Sequence, residues 1–162
     1  MNEENAAAFW AFSLGFYRLP GVEAALLALQ DQGGHDVNLI LYALWHGWSG
    51  RGALDEGALA AAEYAAGPVG REIAAPLRAL RRALKTDPDP AVQALRERVK
   101  VLELEAERIA QSRLAALAAA ASSQSAADRR AVACANLGRT LGPDAGSTEA
   151  AVLLAALNGL PD

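Results

Sequence analysis

After Asp87-Pro88-Asp89-Pro90, one helical pattern continues to about Ser122. That is about thirty residues, or roughly 45 Å at the standard α-helical rise. Val92, Leu95, Val99, Leu102, Ala106 and Ile109 follow a 3-4 heptad spacing along it, which suits antiparallel packing against neighbouring helices. Val101 and Leu104 fall on other faces, so more than one side is expected to be covered. The rest of the chain points the same way. Hydrophobic residues make up 52% of the sequence, and much of that share is alanine, the best helix former. The β-branched residues that favour strands are scarce. The expectation is an all-α, single-domain bundle of about seven or eight helices with one long helix near residues 90–122. Within that domain, 1–162, aromatic-rich N-terminal helices span 5–86, and a C-terminal helical pair spans 126–160.

Caps and breakers set the expected boundaries. Asn5 can cap a first helix through about Tyr17, carrying Phe9, Trp10, Phe12, Leu14, Phe16 and Tyr17 around well over half its circumference. That much apolar surface suits a central helix. Pro20 fits the first turn of a second helix burying Val22, Ala25, Leu26 and Leu29, with Gly33-Gly34 at its end. Asp36 is a good N-cap for a third helix whose apolar positions are Val37, Ile40, Leu41, Leu44 and Trp48. Gly47, Ser49, Gly50 and Gly52 read as a loop. Asp55 starts a short alanine-rich helix, Gly67-Pro68 breaks it, and a fifth helix from about Val69 to Lys85 should kink near Ala74 and Ala75, ahead of Pro76. Ser122 to Ser125 is a linker. Two further helices, about Ala127 to Leu141 and Thr148 to Asn158, follow.

Pro20-Gly21-Val22, Leu29-Gln30-Asp31, Gly34 and Asp36-Val37-Asn38-Leu39 form a signature. With Pro76 to Lys85 (PLRALRRALK), Glu103-Leu104 and Glu107, it resembles a family of short, uncharacterised, mainly proteobacterial helical proteins classed as a domain of unknown function. The resemblance runs from roughly Phe9 to Leu117. It implies a helical fold, and it carries no activity, cofactor or partner with it.

The polar hinge Gln30-Asp31-Gln32-Gly33-Gly34-His35-Asp36, with Asn38 just beyond, is the first candidate site. Asp31 and Asp36 with Asn38 or His35 could build an oxygen-rich pocket for a divalent cation or a polar ligand. The structural alternative makes Asp36 a cap, has Gln30 and Asp31 satisfy open backbone groups, and leaves His35 solvated. The structural reading is favoured, because two carboxylates at a turn match no recognised metal-ligand spacing. Asn38, Tyr42 and His46 recur at i, i+4 and i+8 on one side of the third helix, so His46 is a further candidate. No nucleophile or orienting partner accompanies it, and packing is the simpler role. The speculative ligand set is therefore Gln30, Asp31, Asp36, Asn38 and His46. A second constellation pairs Arg71, Arg78 and Arg81 with Glu103 and Glu107, read as an ion-pair seam between two helices rather than an anion site. No catalytic residue, metal site or cofactor motif is identified: CxxC, zinc spacing, GxGxxG and Walker loops are absent from the sequence.

Charge and composition narrow the function classes. Fifteen basic and 19 acidic residues give a net charge of −4, so no global field draws nucleic acid. The arginines from Arg71 to Arg82 lack the interleaved aromatics of an RNA surface. The single Cys134 suits a reducing compartment and reads as a small apolar helix residue. An acidic N-terminus, with no apolar run near ~18 residues, argues against a signal peptide or membrane insertion. A cytoplasmic, non-catalytic interaction or scaffold module is the leading expectation. Its surface would be the hinge with Trp45 and Trp48, and its protein partner and oligomeric state are not readable. The alternative is a small-ligand or metal-binding protein, or an enzyme, built on the hinge. An apolar ligand such as a lipid or haem in the aromatic half is a third possibility, resting on aromatic density alone.

Overall fold

The computed structural model describes residues 2–161. Eight α-helices occur among them, with no strand. They are α1 (Asn2–Tyr17), α2 (Val22–Gly33), α3 (Val37–Trp48), α4 (Glu56–Val69), α5 (Ala75–Ala83), α6 (Pro90–Leu117), α7 (Ala126–Leu141) and α8 (Thr148–Asn158). A π-turn, Gly70–Ala74, joins α4 to α5, and short 3-10 turns cover Leu84–Thr86 and Gly142–Gly146. The all-α bundle is thus the observed class, and no single described helix is long and apolar enough to cross a membrane.

The centre of the bundle is α3, not α1. Nine of the twelve α3 residues are buried, whereas α1 buries one face, through Phe9, Phe12, Ser13 and Phe16, and leaves Leu14 40% exposed. Phe9 stacks on Trp45 at 4.9 Å between ring centroids, and Phe12 lies 5.3 Å from Trp48. These rings fill the N-terminal core with each other, so Trp45, 2% exposed, and the half-buried Trp48 do not form the expected partner surface.

On its other side α3 rests on α7, and Gly47 makes this possible. A Cβ at Gly47 would lie 2.4 Å from both Cα and N of Ala133. Gly47 is therefore a helix residue at a backbone contact rather than part of the loop the sequence suggests. Beside it, the fully buried Asn136 of α7 accepts from the Leu54 amide (2.8 Å) and donates to the carbonyls of Ala43 (3.3 Å) and Gly52 (3.1 Å). One side chain thereby satisfies three main-chain groups where the chain leaves α3.

Several boundaries follow the caps. Asp36, Asp55, Asp89 and Ser125 each accept from a first-turn amide. Gly34 ends α2 in the left-handed conformation, φ 69°. Others differ, for identifiable reasons. Because α1 begins at Asn2, Asn5 lies inside it and accepts from Arg51 Nη2 at 2.9 Å. Pro20 precedes α2, whose N-cap is Gly21 at φ 80°. Gly67-Pro68 does not break α4; the chain continues as a helix into the π-turn, where the Ala75 amide reaches back to the Gly70 carbonyl. The wider winding there takes up the missing donor and ring of Pro76, close to the expected kink. The long helix stops at Leu117, five residues early, because the following chain is claimed by tertiary contacts. Arg51 donates to the Ala119 carbonyl (2.7 Å), and the Ser122 amide and hydroxyl both donate to the Gly50 carbonyl (2.9 and 3.0 Å). The buried stripe of α6 is Val99, Glu103, Ala106, Ala110 and Leu114, while Leu95, Leu102 and Ile109 of the heptad stand 41–51% exposed. The buried faces of α4 and α6 are rich in alanine, and the larger residues of α6 fall to the flank. Cys134 is exposed on α7 rather than packed.

Replacing Gly47 by alanine should force the α3 and α7 backbones apart. We expect a loss of about 2–3 kcal/mol, read in urea unfolding as a lower midpoint at unchanged slope.

Candidate functional site

Residues on α6 at 96, 100, 103, 107 and 111 advance by three or four and form one stripe. Opposite it stand Arg78 and Arg81 of α5, Trp10, Leu14 and Tyr17 of α1, Leu27 and Gln30 of α2, and Asn38 and Leu41 of α3. Together they line a groove of about 490 Å³, a size ordinary for small-molecule sites.

The middle of the groove is an ion-pair network. Arg78 donates through Nε to Glu103 Oε1 (3.0 Å) and through Nη2 to Glu107 Oε1 (2.8 Å). Arg81 donates through Nε to Glu103 Oε2 and through Nη2 to Oε1 (3.2 Å). Burial alone would raise the Glu103 pKa, but the Arg81 hydrogen bond and the charges of Arg81 and Arg78 outweigh it, holding the carboxyl below the usual range. At Glu107 the balance reverses. Burial pushes its pKa up, and the Arg78 guanidinium offsets this only in part. Burial likewise raises the Tyr17 phenol, reinforced by the charges of Glu23 and Glu107.

The inner end is uncharged but polar. Gln111, 4% exposed, donates through Nε2 to Asn38 Oδ1 (3.0 Å). Its Oε1 is buried without a hydrogen-bond partner, as is Gln30 Oε1. Arg96 Nε, toward the outer end, is a buried donor in the same state.

The hinge set does not converge. Gln30 and Asn38 reach the groove. Asp31 turns outward to Arg82 Nη2 at 3.1 Å, and Asp36 caps α3 through the Asn38 amide at 2.8 Å. His46, buried, donates from Nδ1 to the Gly52 carbonyl at 2.9 Å, and burial lowers its pKa. It packs against Tyr42, whose pKa is pushed up to about 12 by burial. Rather than being solvated, His35 bonds through Nε2 to Asp144 Oδ2 at 2.7 Å. The basic set also divides: Arg78 and Arg81 meet Glu103 and Glu107, while Arg71 lies outside that network, its guanidinium against Gly67. Arg71 lines a second cavity of about 420 Å³ with His35, Asp36, Glu63 and Arg139, and Arg78 stands in the wall of both. Gln111 was not among the sequence candidates; its i+4 step from Glu107 is the signal that extends the stripe to it. Among the described residues no group of three or more His, Cys, Asp or Glu could hold a metal ion.

The family model described as Protein of unknown function (DUF2390) matches residues 8–114, and the chain belongs to that family. That span contains the whole groove. No curated protein and no solved structure matches the chain.

Replacing Glu103 by glutamine removes the charge that Arg78 and Arg81 share. We expect a cost of about 2 kcal/mol at neutral pH, below the range for fully buried pairs because both guanidiniums reach solvent. Since the folded pKa of Glu103 is lowered, its contribution is present above the ordinary carboxylate value and lost as pH falls through the lower one. The gap between wild type and Glu103→Gln in urea unfolding should therefore close in acid.

Proposed function

We propose that this member of the DUF2390 family binds a small polar ligand in the groove between α1, α2, α3, α5 and α6. The observation that carries the reading is Gln111 Oε1, a buried acceptor with no partner in the wall of that groove. An unpaired buried acceptor costs about 1–3 kcal/mol, which a ligand donor recovers. Gln30 Oε1 offers a second acceptor to the same space. The surrounding ion pairs hold the wall rigid, so little ordering cost falls on binding. A reducing cytoplasmic setting belongs to the same reading and suits the free, exposed thiol of Cys134.

The test is thermal unfolding of wild type and Gln111→Leu with millimolar amino acids, amines, sugars and nucleosides. A binding ligand should stabilise wild type by up to about 2.7 kcal/mol at a hundredfold excess over Kd. Gln111→Leu should lose that gain, on top of a ligand-independent loss of about 1–3 kcal/mol from the broken hydrogen bond to Asn38. A ligand-free loss alone, with no ligand effect in wild type, would make Gln111 purely structural.

One observation favours a second reading, a protein-interaction module. On α6, Leu95, Leu102 and Ile109 repeat at seven-residue intervals, and each is 41–51% exposed, a seam of the kind helices pair through. Under that reading Leu102→Lys removes a faster-sedimenting, heavier species seen for wild type in sedimentation velocity, and leaves thermal stability unchanged. A wild type that sediments as one monomer at every concentration counts against self-association through that seam.

A further inference from the structure

We infer that the inner end of the groove is built for a primary ammonium group carried on a neutral or anionic tail. The assignment rests on the small-ligand reading and specifies its chemistry. Three acceptor oxygens, two at the inner end and one on the adjoining edge of the ion-pair network, receive no hydrogen bond from the described residues. They are Gln111 Oε1 and Gln30 Oε1, both buried, and Glu107 Oε2, since Arg78 takes only Oε1. An alkylammonium has three N–H donors and no acceptor, which matches a set of acceptors lacking donors.

One of the three acceptors is a carboxylate oxygen, which favours a charged donor over a neutral one. Glu103 and Glu107 balance Arg78 and Arg81 in the ion-pair network, which leaves Glu107 Oε2 as a carboxylate oxygen with no guanidinium on it. Desolvated carboxylates gain most from a cation that also donates hydrogen bonds. A quaternary ammonium supplies the charge without the donors, and a neutral hydroxyl supplies a donor without the charge.

The outer end constrains the tail. Lys100 lies about 16 Å from Gln111 along α6, and Arg96 and Arg18 line the groove near it. Arg96 Nε is a buried donor without a partner. A second cationic centre on the ligand would meet these groups and be repelled, whereas an anionic tail would be drawn to them. The groove thus distinguishes an amino acid-like chain from a diamine.

Calorimetric titration with four probes tests this: ε-aminocaproate, its N-trimethylated analogue, caproate and cadaverine. ε-Aminocaproate should bind wild type, the trimethylated analogue and caproate at least tenfold more weakly, and cadaverine also more weakly. Glu107→Gln should weaken ε-aminocaproate at least tenfold. Gln30→Ala, at a half-buried position outside the ion-pair network, should weaken it several-fold with unchanged ligand-free unfolding. Equal binding of the trimethylated analogue or of caproate overturns the assignment, as does indifference to both substitutions. If a sugar or nucleoside stabilises the protein through Gln111 while none of the amines binds, the groove remains a ligand site and the ammonium assignment falls. If nothing binds through Gln111, both fall.

Discussion

The bundle depends on the close approach of α3 to α7 at Gly47 and Ala133. Without a side chain at 47 the two backbones come into contact, and α3 can be enclosed on both sides. The aromatic rings of α1 close over one side, and Asn136 ties off the main chain on the other. Enclosing α3 places Asn38, near its start, under α6, where Gln111 meets it. The inner end of the groove therefore inherits its rigidity from a contact two to three turns further along the same helix.

The ion-pair network plays a different part. Arg–Glu pairs of this kind add little net stability, because desolvation offsets most of the Coulomb attraction. They do fix register. Arg78 reaches two carboxylates one turn apart on α6, so α5 cannot slide along α6 without breaking both bonds. The same arginine stands between the two cavities. The arrangement favours one alignment of α5 on α6, and with it one shape of groove.

Much of the fold was legible in the chain. Asp36, Asp55, Gly33-Gly34 and Asp87 to Pro90 are local signals, and local signals survive folding. The errors arose where tertiary contacts overrode them. Gly47 looks like loop until a second backbone needs its space. Ala118 to Ala121 looks like helix until Arg51 and Gly50 claim it. The heptad of α6 is regular in sequence, yet the close-packed face follows the alanines one step round from Leu95, Leu102 and Ile109. At the site, Arg78, Arg81, Glu103 and Glu107 were readable as complementary charges at helical spacing. The hinge residues were misleading as a group because turn neighbours on a chain can point apart, as Asp31 and Asn38 do. Gln111 carries no charge, and its importance lies in an oxygen left over, which sequence does not display.

The π-turn at Gly70–Ala74 has a consequence for how such a groove can change. Helical faces are set by residue count, and one residue more or less rotates everything beyond it by about 100°. The π-turn holds one such extra residue within an otherwise continuous rod from Glu56 to Ala83. It acts as a phase adjuster between the half of the rod that buries Ala62 and Ala66 and the half that presents Arg78 and Arg81. Insertions or deletions there would re-aim the guanidiniums while leaving the packing of α4 in place, so groove chemistry and bundle packing can vary independently across that one turn.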